Sequence, residues 1–172
     1  LPKEDTIPFT KLGIITDFNG IDVEQSKDYI QLSAANYIDR IMTSHGWETD
    51  SSMKPHSKPN APLSTEVLHQ LHKHNGPLEG TKEHSKLEEK NGFSYRTLLG
   101  EMMFAYVSCR PDIGYAITLM SKYGSNPSDF HYKCLKNIAR YLRTTRTWGI
   151  IFSRSSPAMD LPESEVENTM NT

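Results

Sequence analysis

The chain has 172 residues, 36% of them hydrophobic and 23% charged, with a formal net charge of -2. That length fits about one domain. The low apolar share predicts polar stretches that add little to a core, and no run of about 18 apolar residues is present to cross a membrane. Cys109 and Cys134 are the only cysteines. Both sit among apolar residues, which excludes a disulfide framework or a cysteine-based metal site and predicts buried thiols in a reducing compartment. Leu1 to Asp5 has neither the basic start nor the apolar run of a signal peptide. The expectation is an intracellular protein of the cytoplasm or nucleus, not secreted and without membrane contact. It lacks an initiator Met, as a piece of a longer chain would.

Ile21 and Val23 alternate with Asp22 and Glu24, the period-two pattern of a half-buried strand. Ser26-Lys27-Asp28 is a turn signal, and Tyr29 to Leu32 reads as a second strand. Asn19-Gly20 is a competing tight turn, joining Leu12–Phe18 to Ile21–Gln25. Ser33 suits the N-cap of a helix over about 34–45. Ala34, Tyr37, Ile38, Ile41 and Met42 give that helix one apolar face, and Gly46 stops it. Residues 1–50 thus form a unit of hairpin plus helix.

Residues 51–92 hold Pro55, Pro59, Pro62 and Pro77, five of the seven histidines, and many Ser, Asn and Lys residues. This composition predicts an exposed linker, partly disordered, with a helical fragment near 64–74 capped by Ser64. His69, His72 and His74, with His84 nearby, have a spacing that suits one helix face. No Cys or carboxylate completes a recognised ligand set, so a polar loop is the preferred reading and no metal ligand is assigned.

Residues 93–153 are strongly helical. Leu98, Leu99, Met102, Met103, Phe104, Tyr106 and Val107 are too many for one stripe and predict a helix buried on several sides. Arg110-Pro111-Asp112 breaks the pattern, because the residue before Pro avoids the helical region. Pro111 then suits the first turn of a second helix, whose apolar face is Ile113, Ala116, Ile117 and Met120. Asn126-Pro127-Ser128-Asp129 supplies a cap, a first-turn Pro and an acidic first-turn residue for a third helix ending near Thr145. Arg110 and Asp112 have two readings of equal weight: an ion pair that locks the corner between the first two helices, or contact with substrate. Residues 154–172 read as a disordered acidic tail. The fold class expected is α+β, mostly α: a short β-hairpin, a helix, a polar linker and a three-helix bundle.

Charge is unevenly spread. Residues 1–94 hold 10 basic and 14 acidic residues, 95–154 hold 9 and 3, and 155–172 hold none and 4. At about 100° per residue, Lys133, Lys136, Arg140 and Arg143 fall at roughly 0°, 300°, 340° and 280°, an arc of about 80°. Leu135, Ile138, Ala139 and Leu142 lie opposite, and Arg146 follows beyond the helix end. Such a stripe can track a phosphate backbone through counterion release. It has no feature for reading base edges, so the contact would be independent of sequence. The alternative is an ordinary solvated face with snorkelling stems.

Several segments carry a family resemblance. Arg110-Pro111-Asp112-Ile113-Gly114-Tyr115-Ala116 resembles the Arg-Pro-Asp-Ile segment of copia-type retrotransposon reverse transcriptases. Asn126-Pro127, His131, Lys133, Lys136, Ile138, Arg140 to Thr145 and Gly149-Ile150 resemble the following helix of that family. Tyr95-Arg96 through Leu99-Gly100 with Met102-Met103 is similar to its lead-in. Phe18-Asn19-Gly20-Ile21-Asp22-Val23, then Ile30 to Ser33 and Tyr37-Ile38, resembles its Phe-Leu-Gly-Ile-Glu-Ile hairpin and next helix, with Asn19 in place of the usual Leu. This likeness, over about residues 10–152, favours the turn at Ser26–Asp28.

The resemblance implies the last palm hairpin and the thumb of an RNA-directed DNA polymerase, a polyprotein fragment. Phe18, Asn19, Gly20 and Ile21 would then support a primer end. Lys133, Lys136, Arg140, Arg143 and Arg146 would hold an RNA–DNA or DNA duplex. The family's catalytic Asp-Asp pair, which holds Mg²⁺ in the complete enzyme, has no counterpart here. No catalytic residue is therefore assigned, and the missing palm and fingers of the parent polyprotein are expected partners. The alternative is a non-enzymatic relic or domesticated helical module that makes protein contacts.

Overall fold

A computed structural model describes residues 13–53 and 61–154. Its architecture is α+β and mostly helical, as the patterning predicts. The chain begins with β1 (Asp17–Phe18), β2 (Ile21–Gln25) and β3 (Tyr29–Ser33). The helices α1 (Ala35–Ser44), α2 (Thr65–Leu68), α3 (Lys82–Asn91), α4 (Tyr95–Ser108), α5 (Gly114–Ser121) and α6 (Asp129–Thr144) follow, and β4 (Gly149–Ser153) closes the fold. The strands form one antiparallel sheet in the order β1-β2-β3-β4.

Both candidate turns form. Asn19 and Gly20 have φ of 53° and 78°, the positive pair that a two-residue hairpin turn requires, and Phe18 pairs with Ile21. Ser26 Oγ accepts from the Asp28 and Tyr29 amides and shapes the second turn. β4 is absent from the sequence reading. It returns after α6 and pairs Gly149 with Ser33 and Phe152 with Ile30. Gly149 permits the approach: a Cβ there would lie 1.9 Å from the Leu32 carbonyl oxygen.

The cap of α1 differs from expectation. Ser33 belongs to β3, and Ala34 occupies the N-cap without a side-chain bond. Asp22, from β2, accepts the Asn36 amide at 3.0 Å instead and also meets the Asn36 side chain. A carboxylate reaching in from the sheet thus serves the first turn. At the other end Gly46 has φ of 66°. The Gly46 and Trp47 amides return to Thr43 and Met42, the paired bonds of a left-handed helix stop.

The stretch expected to be an exposed linker carries more order than its composition suggests. Ser64 caps α2 as predicted. Residues 82–91 form α3, which the sequence reading misses. Thr81 accepts the His84 amide at its start, and Gly92 ends it with φ of 76°. Met53, Leu63 and Leu71 reach the core. Residues 54–60 lie outside the described range, and so do 1–12 and the acidic tail from 155 onward.

The core lies between α1, α4, α5 and α6. Ile38, Leu98, Met102, Ile117, Met120, Leu135 and Ile138 are fully buried. The Tyr95 hydroxyl donates to the Met120 carbonyl at 2.9 Å, joining α4 to α5. Helix α4 is buried on several sides, through Tyr95, Leu98, Met102 and Ala105, but not on all: Val107 is 67% exposed, and Phe104, which meets the Tyr37 ring at 4.7 Å, is 39% exposed. Pro111 opens a short 3₁₀ turn into α5, as predicted. Ser128 is the N-cap of α6, so Pro127 precedes the helix and does not enter its first turn. His131 completes a capping box with Ser128. Its Nδ1 faces the Ser128 amide at 3.0 Å and its Nε2 faces the Leu71 carbonyl at 3.0 Å. An amide only donates and a carbonyl only accepts, so the ring is neutral with its proton on Nε2.

Candidate nucleic-acid interface

The basic side of α6 follows from its apolar side. Tyr132, Leu135, Ile138, Ala139 and Leu142 turn into the core, so the helical period leaves Lys133, Lys136, Arg140 and Arg143 on the opposite side, at least partly exposed. The four share one side of the molecule, with Arg146 exposed just beyond.

These cations are not vacant. Lys133 reaches back one turn to Asp129 at 2.9 Å, and Lys90 of α3 meets the same carboxylate at 2.9 Å. Hydrogen bonds from Lys90 and Lys133 hold the Asp129 carboxyl down at about 2. Lys136 pairs with Asp50 at 3.2 Å and lies 5.4 Å from the Trp47 ring centroid. Asp50 is also held at about 2, first by its bonds with Ser52 and then by Lys136. Arg143 donates to the Trp47 and Glu48 carbonyls at 2.8 and 2.7 Å. Arg146 pairs with Asp39 of α1 at 2.7 Å.

Lys136 and Arg143 therefore clamp the loop after α1 onto α6, and Arg146, just past α6, ties to the middle of α1. Arg140 is the least engaged. It donates from one Nη to Asn137 at 3.0 Å, while its buried Nε has no partner among the described residues. It borders a depression of about 210 Å³ lined by Pro62, Leu63, Ser64, Val67 and Asn137. The helical wheel locates the cations. Asp39, Asp50 and the carbonyls of residues 47–48 are invisible to it, because they come from segments 86 to 107 positions away.

The hairpin candidates sit elsewhere. Phe18 is 60% exposed at the sheet's edge, and Asn19-Gly20 is the turn beside it. Phe18 and Ile21 border an apolar groove of about 260 Å³ with Ile15, Val23, Gln25, Ile30 and Leu32. Helix α1 packs on β2 and on α6, between the hairpin and the basic helix.

Arg110 and Asp112 form an internal lock. Arg110 is fully buried. Its Nε and one Nη grip both Asp112 oxygens at 2.9 and 2.7 Å. The same Nη donates to Thr145 Oγ1 at 2.6 Å, and the other donates to the Thr145 carbonyl at 3.1 Å. The Tyr141 hydroxyl donates to Asp112 at 2.9 Å. Burial pushes the Asp112 carboxyl up, but the bonds and charge of Arg110 and the Tyr141 hydroxyl outweigh it and hold it below the usual range. The motif thus fixes the corner between α4 and α5 to the end of α6. The anticipated Arg–Asp pair is present, and Thr145 and Tyr141 are the partners that sequence reasoning misses.

Among the described residues no three His, Cys, Asp or Glu side chains gather as a metal-binding group. Nothing in them fits the Mg²⁺ that the resemblance implies for a complete polymerase. His74 stacks on Phe130 at 4.3 Å, and His84 is buried in α3. Among the same residues no helix is long and apolar enough to cross a membrane.

No family model matches the chain, and no solved structure matches it. It is 29% identical over 141 residues to a retrovirus-related Pol polyprotein from transposon TNT 1-94 of Nicotiana tabacum, covering 79% of this chain and 9% of that protein. It is 28% identical over 138 residues to a putative transposon Ty5-1 protein of Saccharomyces cerevisiae, covering 79% of this chain and 39% of the relative. A shorter stretch of 64 residues is 36% identical to secreted RxLR effector protein 161 of Plasmopara viticola, covering 37% of this chain and 45% of that one. The chain spans less than half the length of each of these relatives. Over about four-fifths of its length it is similar to retrovirus-related Pol polyproteins from transposons.

Proposed function

We propose that this chain is the template–primer-holding part of a copia-type retrotransposon reverse transcriptase, a thumb-like fragment without the catalytic carboxylates. The observation that carries the reading is the basic side of α6, set opposite its buried side in a chain similar to retrotransposon Pol polyproteins over most of its length. The internal ion pairs leave donors free. A guanidinium has five N–H donors. Arg140 uses one and Arg146 one, while Arg143 uses two. Phosphate oxygens could take the solvent-facing remainder, which leaves out the buried Nε of Arg140, without breaking the clamp, and the clamp would hold the cations in fixed positions. Lys133, with 70% of its side chain exposed, adds a further contact. The duplex is an RNA–DNA hybrid or DNA, held by its backbone and not read by sequence. The missing palm and fingers would cover the exposed apolar Phe18, Val107 and Tyr115. The two buried free thiols fit an intracellular setting.

The test is binding to a primed RNA–DNA duplex across a salt series. Four phosphate contacts give a slope of log K against log salt of about -3.6. Arg140→Glu weakens binding at least about tenfold on every sequence, as loss of a backbone contact should. Primed template with Mg²⁺ yields no nucleotide incorporation. A flat salt response, or no effect of Arg140→Glu, transfers the reading to the second one. That reading is a non-enzymatic module for protein contacts, and what favours it is that each cation already has a partner within the chain.

A further inference from the structure

We infer that β4 is a self-pairing edge through which two copies of this chain join antiparallel into one continuous sheet. The inference is independent of the nucleic-acid reading. It begins with the direction of the strand's backbone groups. The Arg154 amide donates to the Asp28 carbonyl at 2.8 Å, extending the register that pairs Phe152 with Ile30 and Ile150 with Leu32. In an antiparallel ladder hydrogen-bonded residues alternate. Ile150, Phe152 and Arg154 therefore bond toward β3. Gly149, Ile151 and Ser153 turn their N–H and C=O groups outward. Among the described residues no strand receives them, since β4 is the last strand of the sheet.

Natural edges are blunted by charge, proline or bulges. The sequence Gly-Ile-Ile-Phe-Ser has no charge and no proline, and the whole strand apart from Ile150 is exposed. Ile151 and Phe152, which point to opposite faces, are 60% and 54% exposed.

A second copy fits this edge better than an arbitrary strand does. Antiparallel pairing centred on Ile151 sets Ile151 against its own equivalent, Ile150 against Phe152 and Gly149 against Ser153. Every outward backbone group then finds a partner, and apolar side chains meet on both faces. Continuing the register sets the exposed Trp148 of each copy beside Arg154 of the other, a cation against an indole face. The contact is isologous and closes on itself with twofold symmetry. A five-residue edge buries less than the ~800 Å² per partner of a standard interface, so association is a concentration-dependent equilibrium.

Because Ile151 meets itself across the axis, charge placed there tests the geometry. Sedimentation equilibrium of the full chain should show a monomer–dimer equilibrium. Ile151→Lys and Ile151→Asp each weaken it at least about tenfold, since like charges then oppose directly. Both retain the parental circular dichroism spectrum, because position 151 is exposed. An equimolar mixture of the two variants recovers association to within about threefold of the parent, as opposite charges now face each other. A parent chain that stays monomeric, a dimer indifferent to both substitutions, or a mixture that fails to re-associate each overturns the proposal. The first outcome means that another segment or partner covers the edge.

Discussion

Removing Arg110 tests the lock at the end of α6. In Arg110→Ala the Asp112 carboxylate loses its bidentate partner, and the Thr145 carbonyl and hydroxyl lose their donors. The guanidinium is fully buried, so its stem also leaves a void beside Tyr141, whose ring centroid lies 5.8 Å away. Breaking a buried pair by removing one partner costs about 3–5 kcal/mol. The Asp112 side chain is 31% exposed and recovers some hydration, which brings the expectation to about 3 kcal/mol. For a chain of this size that is roughly 6–12 °C in Tm. Arg110→Lys keeps the charge but loses the fork, and should cost about half as much. Arg110→Met with Asp112→Leu should regain much of the loss, because an apolar pair of similar volume leaves no buried charge unmatched. Urea unfolding followed by circular dichroism at neutral pH measures all three. The pH dependence has a definite sign. The folded Asp112 carboxyl is depressed, so its contribution is present above the unfolded pKa and is lost as pH falls through the folded one. In the parent this loss falls in the acid range below about pH 4; in Arg110→Ala it should largely vanish. A loss under about 1 kcal/mol for Arg110→Ala would refute the lock, since that is the scale of an exposed pair.

The remaining expectations concern the sheet, the α1 cap and the buried histidine. Gly149→Ala forces a Cβ into the Leu32 carbonyl, so amide hydrogen exchange at Ile150 and Phe152 should accelerate while α4 stays protected; unchanged protection would contradict the close approach. Asp22→Ala removes the carboxylate from the first turn of α1 and should cost about 1 kcal/mol in urea unfolding, the scale of a lost N-cap. His131 is held below its ordinary pKa, first by burial, although its bond to Leu71 acts the other way. Its stabilising contribution is therefore complete above the unfolded value of about 6.5 and declines as pH falls below it. His131→Gln should flatten the urea midpoint between pH 7.5 and 5.5, and an equally steep midpoint in that variant would remove His131 as the cause.

How much of this was legible depends on what each signal measures. Periodicity reports an apolar stripe, so α1, α4 and α6 were readable from Ile38, Leu98 and Ile138. Helix α3 was not, because Lys82 to Asn91 is polar nearly all round and Leu87 is its one large aliphatic residue. Its signals were terminal, with Thr81 before it and Gly92 after it, and the composition of the surrounding stretch masked them. Strand β4 was missed because Gly149 to Ser153 has no alternation and pairs with residues far upstream. The α6 stripe shows the limit most clearly. A wheel fixes the angle of Lys136 or Arg143 about the helix axis, but not which other segment lies over it. Asp50 and the carbonyl of Trp47 decide how much charge remains for a ligand. Arg110 was read as half of a local pair, whereas its role depends on Thr145, 35 positions away.

The position of β4 has a consequence for how the chain is made. Gln31 bonds to the Thr147 carbonyl across a separation of 116 residues, and β3 acquires its outer neighbour only after that stretch has left the ribosome. At about 5–20 residues per second the wait is roughly 6–23 s. For that interval Ile30 and Leu32 sit on a hairpin open along one side, and long-range strand closure comes last and slowly. A nascent chain stalled anywhere before Gly149 should therefore recruit holding chaperones to residues 29–33, and release them once the final strand emerges.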